Sequence, residues 1–283
     1  MKQTMSFLLF LFALQFSNNS LVAQQPAAAN GKFIKVNGAT IYYEEQGTGD
    51  PLILMHGFGG TSAVWKPFVA EYAKHYRVIS WDMRGHGRSD NPDTSVVFLH
   101  AVAARDLLAI IESLQLKNVK LIGHSSGGIV SLYAAIMKPD AIEAIVPMSA
   151  QINYSDTVRS FIKRNAQPEA FYEFAGLEKS HGKQKGKLLA RQFYHFRLLQ
   201  GDPLIMPAQL ATIKARTLII HGDNDFVPVS QAWEMFQNIP HAHLSIIPNA
   251  GHMPQEGESN SKLFLRQTLE FLSGEWGKSS PSK

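Results

Sequence analysis

Short apolar runs and longer stretches of mixed polarity alternate along most of this chain. Runs of four to six residues rich in Val, Ile, Leu and Tyr predict strands, most of them buried. We expect such strands at 33–36, 40–45, 51–55, 77–81, 119–122, 144–148, 216–220 and 243–247. Asn37-Gly38, between the first two, is a strong signal for a tight hairpin turn.

The longer stretches between these runs predict helices at 63–76, 97–114, 129–137, 230–238 and 259–272. In the second of these, Ala101, Leu107, Leu108, Ile111 and Leu114 recur at helical spacing and form one apolar face. Strands that alternate with helices are typical of an α/β fold in which a mostly parallel sheet is covered by helices.

The alternation stops between residues 151 and 209, where aromatic and charged residues mix without a buried strand. This interruption predicts a domain organisation with a core at 31–150 and 210–273 and an insertion at 151–209. Residues 274–283 are short and polar, and we expect a flexible tail there.

The first residues have the pattern of a secretory signal. Lys2 precedes an apolar run at 7–16, polar residues follow, and Ala23 is the preferred cleavage position, with 27–29 as alternatives. The run is too short to span a bilayer as a helix. We therefore expect an exported protein, periplasmic or secreted, with no stable membrane span after cleavage; an uncleaved anchor is the alternative.

Composition excludes several kinds of chemistry. The 283-residue chain contains no cysteine, so disulfides, thiolate metal sites and a cysteine nucleophile are excluded. The net charge is only +4, and one basic cluster stands out: Lys179, Lys183, Lys185, Lys187 and Arg191. Without a nucleic-acid motif beside it, this cluster is interpreted as a solvated helix face, and no nucleic-acid partner is expected.

Gly-His-Ser-Ser-Gly at 123–127 is the strongest chemical signal. It fits G-x-S-x-G, in which a serine sits on a sharp turn between a strand and a helix. The apolar run at 119–122 precedes it and the helical stretch at 129–137 follows, as the motif requires. The flanking glycines allow the two backbones to approach closely, and Ser125 is the candidate nucleophile.

Five segments in this order and spacing resemble the α/β-hydrolase superfamily. They are HGFGG at 56, DMRGHGRS at 82, GHSSGG at 123, HGDNDFVP at 221 and NAGHMPQE at 249. The chain is most similar to the cap-bearing serine hydrolase branch, which includes esterases and lipases. The resemblance implies an α/β-hydrolase fold, with a mostly parallel central sheet flanked by helices and a small helical cap at 151–209.

The resemblance also implies a catalytic triad in the order Ser, acid, His. Ser125 would be the nucleophile, Asp225 the acid and His252 the base, with Asp223 as a rival acid two residues away. The backbone N–H groups of Phe58 and Ser126 would form the oxyanion hole. No organic cofactor or metal is expected.

Neighbouring polar residues are interpreted as structural. Asp82, Arg84, His86 and Ser89 lie in a turn of the family pattern, and His56 is expected to organise its loop. His241 and His243 share a strand face but have no evident third ligand, so they do not predict a metal site.

The predicted function is cleavage of carboxylic esters of small molecules through an acyl-enzyme intermediate. Carbon–carbon bond, amide or proline-peptide, lactone and perhydrolase chemistry on the same triad are alternatives. A ligand-sensing protein with slow turnover is an alternative of another class. Relatives that open epoxides or displace halides use Asp where this chain has Ser125, which argues against those reactions.

Overall fold

An eight-stranded sheet forms the centre of the computed structural model, which describes residues 31–92, 95 and 97–276. The strands β1 to β8 are Lys32–Val36, Ala39–Gln46, Pro51–Met55, Arg77–Trp81, Val119–His124, Ile142–Met148, Arg216–Gly222 and Ala242–Ile247. Their order across the sheet is β1-β2-β4-β3-β5-β6-β7-β8. The pairs β1–β2 and β2–β4 are antiparallel, and all other neighbours are parallel. The predicted mostly parallel sheet is confirmed.

Ten α-helices and two short 3-10 helices connect the strands within the described residues. The helices α1 to α10 are Lys66–Tyr72, His100–Ser113, Ser126–Met137, Asp156–Asn165, Pro168–Phe174, Leu177–His181, Lys183–His195, Pro207–Leu210, Val229–Asn238 and Glu258–Leu272. The 3-10 helices are Ser62–Trp65 and Phe196–Leu198. None of the helices in this part of the chain is long and apolar enough to cross a membrane.

Each face of the sheet has its own apolar core. Along β3, Ile53 and Met55 join one core, which includes residues of α2 and α3. Leu52 and Leu54 join the other, which includes residues of α1 and α10. Successive side chains of a strand point to opposite faces, so a strand covered on both sides must be apolar throughout. This requirement explains the uninterrupted apolar runs of the sequence.

Two of the predicted helices have different bounds in the structure. The helix expected at 63–76 is a 3-10 turn at Ser62–Trp65 followed by α1, which ends at Tyr72. Pro67 lies in the first turn of α1, where its missing N–H costs nothing. The helix expected from residue 97 begins at His100, because Leu99 has extended backbone angles.

The segment between β6 and β7, residues 151–209, is called the cap below. It contains α4 to α7, the second 3-10 helix and an isolated bridge between Asn153 and Leu204. The short helix α8 crosses the expected boundary at 209. Side chains of α4 and α7 face the end of β5, so the cap lies over the strand that carries the candidate nucleophile.

The predicted signal segment, 1–23, and most of the predicted tail lie outside the described residues. The described part of that tail contacts the body of the protein. The Trp276 ring lies 6.1 Å from the Phe271 ring and 6.0 Å from the His243 ring, measured between centroids. The first residues after α10 are therefore packed against the core.

Candidate active site

Ser125 is the single residue between β5 and α3, and it forms a sharp turn. Its backbone angles are φ 53° and ψ −116°, a conformation that residues other than glycine seldom adopt. The turn is fixed on both sides, because the Ser125 amide donates to the Met148 carbonyl at 2.8 Å and its carbonyl accepts from Ile129 at 3.0 Å. Such a turn projects the hydroxyl away from the sheet.

The flanking glycines are required by close backbone packing. A Cβ on Gly123 would lie 2.3 Å from the Gly127 carbonyl oxygen, and one on Gly127 would lie 2.5 Å from the Met55 carbonyl oxygen. These contacts involve main-chain atoms that cannot move aside. The nucleophile turn therefore needs glycine at both positions.

A continuous hydrogen-bonded chain joins Ser125, His252 and Asp225. His252 Nε2 lies 2.9 Å from Ser125 Oγ, and His252 Nδ1 lies 2.8 and 3.0 Å from the two carboxylate oxygens of Asp225. Asp225 follows β7 and His252 follows β8, so the two loops meet at the carboxyl end of the sheet. A Cβ on Gly222 would lie 2.2 Å from the Ala250 carbonyl oxygen, so glycine at 222 allows this approach.

The Asp225 side chain is completely buried but well paired. Burial would raise its pKa. The charge on His252 and the hydrogen bond from its ring outweigh that effect, and His221 and the Val227 amide lower the pKa further. The pKa of Asp225 is therefore below its ordinary value, and the carboxyl is ionised at neutral pH. An ionised acceptor at Nδ1 keeps the His252 proton there and leaves Nε2 to accept the Ser125 proton.

The rival acid Asp223 lies outside this chain of contacts. It is exposed, and among the described residues its backbone amide alone makes a hydrogen bond, donating to the Ile247 carbonyl at 3.2 Å. The structure thus brings Asp225, and not Asp223, to His252.

His124, which sequence reasoning left without a role, ties the nucleophile strand to the histidine loop. Its Nε2–H donates to the His252 carbonyl at 2.7 Å. Burial lowers the pKa of His124 to about 3, so the ring is neutral and donates this bond throughout the physiological range. The separation of 128 residues explains why no local sequence pattern indicates this contact.

The loop after β3, which carries Phe58, passes beside the nucleophile. A Cβ on Gly57 would lie 3.3 Å from the Ser125 Cβ, which places the loop next to that side chain. Gly60 donates to the Gly57 carbonyl at 3.0 Å, and Gly59 donates to His86 Nε2 at 3.1 Å. Within the described residues the Phe58 amide donates to no protein group, so it is free to bind a ligand.

Ser126 presents the second amide. It is the first residue of α3, where backbone N–H groups have no acceptor within the helix and the helix dipole favours negative charge. Both predicted oxyanion donors therefore lie on elements adjoining Ser125.

The cavity beside Ser125 is small and mostly apolar. Its volume is about 30 Å³, and its lining includes Phe58, Ile129, Val158, Ile162, Phe193, Phe196 and Phe226. Gln151 also lines it, and the side-chain oxygen of Gln151 is buried and has no hydrogen-bond partner among the described residues. Sequence reasoning did not single out Gln151.

The polar turn after β4, interpreted from the sequence as structural, makes buried hydrogen bonds to neighbouring loops. Asp82 accepts from the Ser62 amide at 2.7 Å and from the Arg88 amide at 3.0 Å. His56 accepts from the Met83 amide at 3.0 Å and donates to the Gly57 carbonyl at 2.7 Å. These contacts fix the loops around the site.

Two side chains of the cap are tied to this turn. His181 accepts from the Gly87 amide at 2.7 Å and donates to the Gly59 carbonyl at 2.9 Å. Lys185 donates to the carbonyls of Gly87 and Ser89 at 2.9 and 2.7 Å. The interpretation of the basic cluster as a solvated face is therefore wrong for Lys185, which attaches the cap to the core.

Known hydrolases resemble this chain over most of its length. A hydrolase of Metapseudomonas resinovorans named for 2-hydroxy-6-oxo-6-(2'-aminophenyl)hexa-2,4-dienoic acid is 26% identical over 267 residues, covering 86% of this chain and 90% of that protein. Human serine hydrolase BPHL is 29% identical over 250 residues, covering 80% and 83%. A solved serine hydrolase involved in carbazole degradation is 25% identical with a TM-score of 0.72, covering 87% and 99%.

The sequence model of the alpha/beta hydrolase family matches residues 52–266. This match includes the nucleophile turn, the loop of Phe58, the cap and the loops of Asp225 and His252. It spans well over half of the 283 residues. The chain therefore belongs to the alpha/beta hydrolase family, and the relatives described above are hydrolases.

Proposed function

We propose that this protein hydrolyses carboxylic esters of small molecules through an acyl-enzyme intermediate. The observation that carries the proposal is the hydrogen-bonded chain from Ser125 through His252 to Asp225. A serine hydroxyl becomes nucleophilic when a neighbouring base takes its proton, and a buried carboxylate keeps that base in the correct tautomer.

In the first half-reaction, Ser125 Oγ attacks the ester carbonyl carbon while its proton passes to His252 Nε2. The Phe58 and Ser126 amides hold the oxyanion. The carbonyl re-forms, the bond to the alcohol oxygen breaks, and His252 gives its proton to that oxygen. Water then attacks the acyl-enzyme, His252 takes the water proton, and the acid leaves as Ser125 regains its hydrogen.

The lining of the cavity favours a neutral acyl group. Among the described residues that line it there is no Lys or Arg, and most are apolar. Burying an unpaired carboxylate in such surroundings would cost several kcal/mol. An uncharged acyl chain has no such cost and gains from contact with Phe193 and Phe226.

The cavity beside Ser125 is narrow, with a volume of about 30 Å³, and two helices of the cap form part of its wall. Since α4 and α7 contribute Val158, Ile162 and Phe193 to the lining, displacement of these helices would open the site.

Hydrolysis of a carbon–carbon bond is the competing reaction. The substrate named for the Metapseudomonas resinovorans relative contains a ketone and a carboxylate but no ester. Its carboxylate would need a cationic partner. The absence of Lys and Arg from the described lining favours the neutral ester instead.

The test is turnover of 4-nitrophenyl esters from acetate to octanoate, with Ser125→Ala as the control and the dienoic acid of the relative as the rival substrate. We expect ester hydrolysis that depends on Ser125, and labelling of Ser125 by a fluorophosphonate probe. Faster turnover of the dienoic acid would favour carbon–carbon chemistry. Labelling without turnover would favour ligand sensing. The absence of both labelling and turnover would refute the serine mechanism.

The export signal supports action outside the cytoplasm. Lys2 and the apolar run at 7–16 are the features on which this part of the proposal rests. N-terminal sequencing of the mature protein should begin at Gln24, and a mature chain that retains Met1 would contradict export.

A further inference from the structure

A second buried Ser–His–Asp chain lies beside the first. Ser126 Oγ is 3.0 Å from His100 Nε2, and His100 Nδ1 is 2.8 Å from one carboxylate oxygen of Asp202. The other Asp202 oxygen accepts from the Ala101 amide at 3.0 Å. The exposed fractions of Ser126, His100 and Asp202 are 3%, 0% and 6%. No motif of the sequence indicates this chain, since its members are up to 102 residues apart.

The three residues come from three different parts of the fold. Ser126 begins α3, His100 begins α2, and Asp202 belongs to the cap. Because the carboxylate only accepts, His100 carries its proton on Nδ1 and donates it to Asp202. His100 Nε2 on the other side of the ring then shares a hydrogen bond of 3.0 Å with the Ser126 hydroxyl. The Ser126 side chain is thus held by a group whose orientation is set by the cap.

The segment that carries Asp202 is anchored near the same place by other contacts. The Leu204 amide donates to the Tyr133 hydroxyl of α3 at 3.1 Å. The Ile205 amide donates to the Ile152 carbonyl at 2.9 Å. Asp202 therefore reaches His100 from a segment that is bound to α3, the helix on which Ser126 sits.

We propose that Asp202 and His100 are positioning residues that hold Ser126, and with it the backbone N–H at the oxyanion site, in place when the cap is seated. Fixing the Ser126 side chain through its hydroxyl restrains the rotation of the adjoining amide. This inference rests on the proposed function, in which that amide stabilises the oxyanion. It adds a dependence of the oxyanion hole on the cap.

If the network only attached the cap, substitutions in it would have different kinetic effects. Lys185 provides the comparison, because it joins the cap to the core through two hydrogen bonds without contact with Ser126. If the Asp202 chain merely holds the cap, Asp202→Asn and Lys185→Met should have similar kinetic effects. If it positions the amide, only the Asp202, His100 and Ser126 variants should impair transition-state stabilisation.

The experiment compares Ser126→Ala, Asp202→Asn, the double variant and Lys185→Met in the full chain. With 4-nitrophenyl acetate we expect kcat to fall about tenfold in each single variant of the chain and KM to change less than twofold, since loss of a whole oxyanion donor costs about 10²- to 10³-fold. The double variant should be no worse than the single ones, because both changes interrupt the same chain. Lys185→Met should keep kcat within twofold.

Binding of propylboronic acid gives a second readout that does not depend on the substrate. Ser125 Oγ bonds to boron, its proton passes to His252, and the boron becomes a tetrahedral anion that occupies the oxyanion site. We expect the dissociation constant to rise about tenfold in Ser126→Ala and Asp202→Asn, and to stay unchanged in Lys185→Met.

The outcomes separate this inference from the proposed function. If the wild type binds the boronate but does not cleave esters, the ester proposal fails and the boronate series still decides the role of the chain. Unchanged boronate affinity in Ser126→Ala and Asp202→Asn, or additive losses in the double variant, would overturn the inference. Failure of the wild type both to bind the boronate and to cleave the esters would overturn both. Melting temperatures identify a variant that is unfolded, in which case the other single variant decides.

Discussion

Replacement of Asp225 by Asn should remove the charge that stabilises protonated His252 and leave most of the geometry intact. One carboxylate oxygen contacts both the Val227 amide and His252, at 2.9 and 2.8 Å, so an amide oxygen at the same place can keep both contacts. The charges are spread over each group, which makes about 4 Å the effective separation. At an effective dielectric constant of about 20, their attraction is then about 4 kcal/mol.

Since about 1.4 kcal/mol corresponds to a tenfold change in rate, Asp225→Asn should lower kcat on the order of 10³-fold. The assay is steady-state hydrolysis of 4-nitrophenyl acetate at neutral pH, with KM measured in parallel. Asp223→Asn is the matched control, because Asp223 is exposed and two residues away; it should retain kcat within twofold. Retention of more than a tenth of kcat in Asp225→Asn would refute the electrostatic argument. A large loss of kcat in Asp223→Asn would show that Asp223, and not Asp225, is the acid of the triad.

Three further changes test the packing, the lining and the buried histidines. Gly127→Ala places a Cβ 2.5 Å from a main-chain oxygen and should lower the free energy of unfolding by about 3 kcal/mol, whereas Gly201→Ala, with no atom within 4 Å, should be close to neutral in urea unfolding. Gln151→Met should lower the kcat/KM ratio of 3-hydroxybutyrate to butyrate 4-nitrophenyl esters about fivefold, the worth of one hydrogen bond; an unchanged ratio would contradict contact with the acyl group. Burial lowers the pKa of His56 to about 4 and of His124 to about 3. The unfolded chain binds protons at these positions below pH 6.5 and the folded chain does not, so stability should decrease as pH falls, by about 2 kcal/mol for each histidine at pH 5. Equal unfolding free energies at pH 7.5 and 5 would contradict this.

The central sheet could be predicted because its signals are local. Asn37 and Gly38 have φ values of 46° and 77°, as a tight hairpin turn requires, and the apolar run at 51–55 is a strand with the same bounds. The triad residues could also be proposed, since each stands in a short motif at the end of a strand. In these places the local pattern and the tertiary contacts demand the same residues.

The cap and its contacts could not be predicted in the same way. Lys185 has the sequence surroundings of a solvated lysine, and only the folded chain brings it to two backbone carbonyls. His100 and Asp202 have no motif, because their contact closes a loop of about one hundred residues. Gln151 follows β6 without any pattern that indicates a cavity. These roles arise from the packing of the cap on the core, which no local window of sequence describes.

Because of the backbone angles of Ser125, stability and activity favour different residues at this position. A residue with a side chain at φ 53° and ψ −116° costs of order 1–3 kcal/mol, while glycine adopts such angles readily. Selection of variants for heat resistance alone would therefore reward glycine at 125 and discard the hydroxyl. Any directed evolution of this protein needs a screen for turnover beside the screen for stability, because the most heat-resistant variants would include ones that have lost the nucleophile.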